Sequence, residues 1–189
     1  MSTSLLYHAC GVRGYEYVRT EYQGGRTTLT TRQGGKALRC PACGPRDVRP
    51  KGRVERRSRS LPIGSRATVV ALPIPRVACD ACHVTRQVEV PFADPRRGYT
   101  KSFERYALEL SRRMTILDVA KHLGVSRDVV KDIQQRDPGR RYSRPELKHL
   151  RRIAIDEVAV ARRHRYLTVV LDLESGAVVF AATARAATP

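Results

Sequence analysis

Two cysteine pairs, Cys40-Pro41-Ala42-Cys43 and Cys79-Asp80-Ala81-Cys82, constrain this chain more than anything else in it. Two residues between paired thiolates let the backbone fold back so that both sulfurs reach one tetrahedral Zn²⁺ at about 2.3 Å, and a second pair closes the shell. Pro41 presets φ before the turn, and Gly44 supplies a permissive residue after it. A redox Cys-x-x-Cys would be a single pair in a βαβ setting, whereas here two pairs bracket a Pro-, Arg- and Val-rich stretch. The stretch from Cys43 to Cys79 is longer than a minimal ribbon loop, and an inserted hairpin would account for it. Cys10 reads as a buried thiol and His83 as an exposed ring.

Charge narrows the partner. Lys plus Arg number 36 against 18 Asp plus Glu, a net charge of +18, which points to a polyanion. The first ten residues lack a basic region followed by an apolar run, and no stretch approaches the roughly 20 apolar residues of a membrane span. The expected setting is cytosolic, where reduced thiols favour metal over disulfides. Between the cysteine pairs, Arg46, Arg49, Lys51, Arg53, Arg56, Arg57, Arg59 and Arg66 face only Asp47 and Glu55, a strip suited to phosphate contacts.

The runs from Tyr15 to Tyr22 and from Thr27 to Thr31, separated by Gln23-Gly24-Gly25-Arg26, predict a hairpin with a Gly-Gly turn. Its tyrosines read as packing residues. Ala67 to Val77 is apolar and β-branched but broken by Pro73 and Pro75, which predicts an edge strand. The stretch from Phe92 to Tyr99 reads as a linker. Period 2 then gives way to a helical stripe, Phe103, Ala107, Leu110 and Met114, capped by Thr100.

Thr115 to Ile133 has the grammar of a helix-turn-helix. Thr115 and Asp118 form a capping box, Ala120 is small where two helices cross, Gly124 takes the left-handed turn, and Ser126 caps the second helix. Val119, Leu123, Val125, Val130 and Ile133 fill the wedge. Arg127, Asp128 and Lys131 lie where a recognition helix enters a major groove, while His122 reads as solvated. Arg140 to Pro145 is a second basic linker. Strands then return at Arg152 to Glu157, Tyr166 to Asp172 and Ala177 to Ala181, with Glu174-Ser175-Gly176 as a turn, giving an antiparallel meander. Asp156 and Glu157 form a carboxylate pair at the end of its first strand, where a divalent metal could bind.

Taken together, Cys40-Pro-Ala-Cys-Gly with Cys79 and Cys82, the Thr115 to Ile133 segment, and Ile153-Ala-Ile-Asp-Glu157 followed by Tyr166 to Glu174 resemble the N-terminal part of a bacterial insertion-sequence transposase of the ISL-three family. The likeness spans roughly residues 1 to 180. It implies a zinc-binding domain, a helix-turn-helix for the element's terminal inverted repeats, and a ribonuclease-H-like DDE domain whose three carboxylates hold two Mg²⁺ ions. Asp156 falls at the first catalytic carboxylate. Two ions roughly 4 Å apart would support in-line attack on phosphodiesters. Glu157 and Asp172 read as outer or surface groups. The other two carboxylates would lie beyond Pro189. The tail Ala182-Thr183-Ala184-Arg185-Ala186 is what a Gly-Asp-Gly-Lys-Gly coding stretch yields one nucleotide out of phase, so a frameshifted or truncated transposase is expected.

The expected fold is therefore α+β: a β-hairpin plus zinc-ribbon-like domain over 1–92, a helix-turn-helix over 99–137, a basic linker over 138–150, and a partial ribonuclease-H-like meander over 151–189. The expected ligands are structural Zn²⁺ on Cys40, Cys43, Cys79 and Cys82, with Mg²⁺ only in an intact catalytic domain. The expected partner is double-stranded DNA, met by Arg53, Arg56, Arg57, Arg59, Ser126, Arg127 and Lys131, without a membrane and with homo-oligomers left open. The chain is expected in the bacterial cytoplasm at the nucleoid, binding DNA without a complete active site. The alternative is a non-enzymatic zinc-containing helix-turn-helix regulator or repressor. An RNA-binding ribbon would explain the charge but not the helix-turn-helix.

Overall fold

The computed structural model describes residues 5–33, 38–44, 47–141, 147–161 and 165–184. The expectations for Arg46, for residues 142–146 of the second linker and for the tail beyond 184 lie outside them. The chain divides into two compact units, Met1–Gln134 and Gln135–Pro189.

In the first unit a short helix α1 (Leu5–Cys10) precedes the hairpin of β1 (Tyr15–Gln23) and β2 (Arg26–Gln33). Gly24 and Gly25 turn it with φ of 55° and 70°, the doubly positive pair that matches strand twist in a two-residue loop. The hairpin inferred between the cysteine pairs is also present, as β3 (Val48–Arg59) antiparallel to β4 (Ala67–Cys79). β2 pairs with β4 in parallel, and the short β5 (Thr85–Gln87) extends the same side of β4, giving the order β1-β2-β4-β3.

β4 is thus a central strand, contrary to the edge position expected from Pro73 and Pro75. The proline rule still holds locally. β2 covers β4 only as far as Ala71, and β5 begins at Arg76. The Pro75 carbonyl accepts from Val88 N–H at 2.9 Å, so its backbone faces that side, and Pro73, two residues earlier, faces it too. The missing donors therefore fall in the gap between two partners, where no ladder bond is lost.

Register separates the faces of this sheet. Leu29, Val70, Leu72 and Ile74 point to a core closed by Leu6, Val12 and Phe92. The row Thr28, Val69 and Arg59 points the other way. The 92–99 stretch is not a free linker. Phe92 and Ala93 are buried in the core, Tyr99 is buried beside Phe103, and Arg59 N–H donates to Gly98 O while Arg59 O accepts from Thr100 N–H, at 2.7 and 2.8 Å.

α2 (Lys101–Ser111), α3 (Ile116–Leu123) and α4 (Arg127–Arg141) complete the helical part. Phe103, Ala107, Val119, Leu123, Val130 and Ile133 form its buried core, with Leu110, Met114 and Val125 packed partly against it. α4 continues through Pro138, four residues into the stretch expected to be linker. In the second unit, β6 (Ile153–Ala161), β7 (Arg165–Asp172) and β8 (Val178–Ala184) form an antiparallel meander in sequence order. Among the described residues no helix is long and apolar enough to cross a membrane.

Candidate metal centre and nucleic-acid interface

The β3–β4 hairpin explains how distant cysteines meet. One knuckle leads into β3, the other leaves β4 at Cys79, and Val48 pairs with Cys79, so the open end of the hairpin holds both. All four Sγ atoms lie within 4.8 Å of one another. The separations Cys40–Cys82 and Cys43–Cys79 are 3.6 and 3.5 Å. A disulfide would require about 2.05 Å, whereas sulfurs about 2.3 Å from a central zinc stand about 3.8 Å apart. The donor set and its spacing fit Zn²⁺. Cys40 and Cys79 are buried, Cys82 is half-buried and Cys43 is exposed. Backbone N–H groups of Cys43 and Ala42 hold the Cys40 thiol down to about 6, favouring the thiolate a metal needs. Hydrogen bonding to the Cys82 sulfur and desolvation push Cys43 up, a penalty that a central cation would relieve.

The helix-turn-helix is built as its residues suggest. Thr115 Oγ1 accepts from Asp118 N–H at 3.2 Å and donates to the Asp118 carboxylate at 2.6 Å, so the acid braces the capping hydroxyl itself. Gly124 adopts φ 62° and ψ 46°, and Val125 N–H closes on Ala120 O at 3.0 Å. Ser126 Oγ accepts from Val129 N–H at 3.4 Å. Ser126, Arg127, Asp128 and Lys131 are all exposed on the first turns of α4.

The arginine strip does not act as one surface. Arg53 and Arg57 are exposed, with Arg57 3.4 Å from Glu55, and they lie on the face opposite the core. Arg56 instead donates to the carbonyls of Asp94 and Arg97. Arg59 donates to Leu123 O at the end of α3, at 2.6 Å, and its guanidinium stands 6.0 Å over the Phe103 ring. These two arginines fasten the 92–99 stretch and the helices to the sheet. Arg97 and Tyr99, both donating to Asp132 at 2.9 and 3.0 Å, tie the same stretch to α4. The strip's composition could not reveal that division, because it depends on strand register for Arg56 and on the helices that pack beside Arg59.

In the second unit Asp156 lies mid-strand, opposite Val169, rather than at a strand end, because β6 continues to Ala161. It is exposed, and its carboxylate accepts from Glu157 N–H at 2.8 Å. Asp172 caps the β7–β8 turn, accepting from the Ser175 hydroxyl at 2.6 Å and from Glu174 and Ser175 N–H, and these bonds, led by the hydroxyl, hold its carboxyl below the usual range. Among the described residues no three carboxylates gather, and the residues present do not form a site for two Mg²⁺ ions.

A four-thiolate site on a β-hairpin beside a helix-turn-helix defines a zinc-ribbon, helix-turn-helix type of chain. Residues 36–82 match the zinc-finger of transposase IS204/IS1001/IS1096/IS1165, and residues 88–137 match the helix-turn-helix domain of transposase family ISL3. The chain is 34% identical over 164 residues to the transposase for insertion sequence element IS1557 of Mycobacterium tuberculosis, covering 84% of this chain and 36% of that protein. It is 25% identical over 175 residues to the transposase for IS1001 of Bordetella parapertussis, covering 91% of this chain and 43% of that one. The chain belongs to the ISL3 transposase family, and it spans well under half the length of these relatives. No solved structure matches it.

Proposed function

We propose that this chain is the DNA-binding part of a bacterial DDE transposase and that it recognises the terminal inverted repeats of its insertion sequence. The observation that carries this reading is the exposed Ser126-Arg127-Asp128 and Lys131 face of α4, held on a capped turn within the same unit as a zinc-type cysteine cluster. Cys40, Cys43, Cys79 and Cys82 hold the zinc, which shapes the ribbon. Arg127 and Lys131 read bases, whereas Arg53 and Arg57 contact phosphates. The work is done in the bacterial cytoplasm.

Binding to a duplex carrying the element's terminal repeat is expected to weaken steeply with salt, with a slope of about 0.9 per phosphate contact. Replacing Arg127 and Lys131 with alanine should relax the preference for that duplex over a scrambled one. Replacing Arg53 and Arg57 should weaken both duplexes alike. Fluorescence anisotropy across a salt series measures both effects, and equal loss of preference from the two pairs would contradict the assignment.

Asp156 is the carboxylate of this reading that belongs to catalysis. Tested by themselves, the 189 residues are expected to bind terminal-repeat DNA without cutting it, because one exposed carboxylate cannot hold two Mg²⁺ ions at the spacing in-line displacement needs. Strand cleavage by this polypeptide that survived Asp156→Asn would overturn both parts of the assignment.

A further inference from the structure

We propose that Arg26, Arg57 and Arg59 together form a seat for one backbone phosphate of the bound DNA, beside the turn of the helix-turn-helix. This rests on the DNA-binding reading above and adds a contact surface that the recognition helix does not contain.

The seat follows from register. Arg26 and Thr28 on β2, Val69 on β4, and Arg57 and Arg59 on β3 all project from the sheet face opposite the core. With Gly98, Gly124 and Val125 they line a cleft of about 280 Å³. Among its described lining residues three of eight are arginines and none is acidic, so a strongly positive recess opens directly beside the residues that begin the recognition helix.

Arg59 is poorly compensated where it stands. One of its terminal nitrogens is committed to Leu123 O, but its Nε is shut off from solvent and has no hydrogen-bond partner among the described residues. A buried donor left unpaired is costly. Desolvation and then the like charge of Arg26 both pull the Arg59 pKa below its usual value. An anion would offset both penalties. Arg57 is paired with Glu55, but both side chains are exposed, and such surface pairs are weak enough to exchange for a phosphate.

Backbone and side-chain chemistry select the ligand. Guanidinium forks match the geometry of phosphate oxygens better than point charges do. Among the described residues no aromatic ring lines the cleft for a base to stack on, which favours a backbone phosphodiester over a free nucleotide.

The test is anisotropy titration of the zinc-loaded chain with a short random-sequence duplex over a salt series. Phosphate contacts act without regard to sequence, so such a duplex reports them. Arg26→Gln with Arg57→Gln is expected to lower affinity on the order of tenfold and to reduce the salt slope by about 0.9. Arg86→Gln, an exposed arginine on β5, removes charge at the knuckle end and should leave the slope unchanged. Equal melting temperature and zinc content establish that the variants are folded. Should the double variant fail that check, Arg26→Gln alone, at an exposed position next to the turn, is read in the same way. A wild-type slope in a folded variant overturns the seat and leaves the DNA-binding reading standing. Failure of the unaltered chain to bind any duplex overturns both.

Discussion

Chelating the metal is expected to collapse amide protection across 76–79 and Thr85–Gln87 while the far end of the same sheet stays ordered. The reason lies in where apolar burial is placed. Leu29, Val70, Leu72 and Ile74 belong to a core closed by Leu6 and Phe92, remote along β4 from the knuckles. Near the cysteines, burial among the described residues is confined to Cys40, Cys79, Val77 and Val88. Burying such side chains contributes about 1.5 to 3 kcal/mol apiece, too little to order two knuckles and a three-residue strand. Structural zinc in comparable peptides contributes on the order of 10 kcal/mol, which is comparable with the whole stability of a small domain. Cys40→Ser removes a buried ligand and should reproduce the chelator's effect. Native mass spectrometry is expected to find one zinc per chain. Slow exchange at 76–79 in metal-free protein, or an absence of zinc in the unaltered chain, would refute this account.

What could be read from the residues was local. The Cys-x-x-Cys spacing, the Gly24-Gly25 turn and the Thr115, Gly124 and Ser126 signals each act over a few residues, and each appears in the structure where its chemistry puts it. The antiparallel meander was legible for the same reason. What escaped was set by long-range pairing. The parallel contact of β2 with β4 joins segments separated by the whole first knuckle and β3, and no residue in either announces its partner. That pairing made β4 central, and only the break between β2 and β5 explains why Pro73 and Pro75 are tolerated there. Arg56 and Arg57 look alike in sequence, yet alternation sends one to the Asp94 and Arg97 carbonyls and leaves the other in solvent. Arg26, read only as the end of a turn, gains its meaning from the arginines that β4 brings opposite it. The linker reading of 92–99 failed because its Pro, Gly and charge content masked Phe92, Ala93 and Tyr99, all of which are buried.

Phe103→Ala is the substitution expected to damage the helical part most. Its ring is fully buried, lies 6.0 Å from the Tyr99 ring, and forms the surface over which the Arg59 guanidinium stands. Removing it leaves a cavity where α2, the 92–99 stretch and β3 meet, with an expected cost of about 3 to 5 kcal/mol. The loss should be uneven in its consequences. The zinc end depends on sulfur ligation and should keep its metal, whereas α3 and α4 lose the wedge that holds Arg127 and Lys131 in position. Arg59→Met keeps much of the apolar contact but gives up the bond to Leu123 O, so it should cost less, about 1 to 3 kcal/mol. Thermal denaturation gives the stability difference, and binding to matched and scrambled duplexes gives the functional one. The expected pattern for Phe103→Ala is a large fall in melting temperature, full zinc content, and a loss of sequence preference that exceeds the loss of non-specific affinity. A variant that melted like the unaltered chain would show that the helices are held to the sheet by the polar ties from Arg56, Arg59 and Arg97 rather than by this ring.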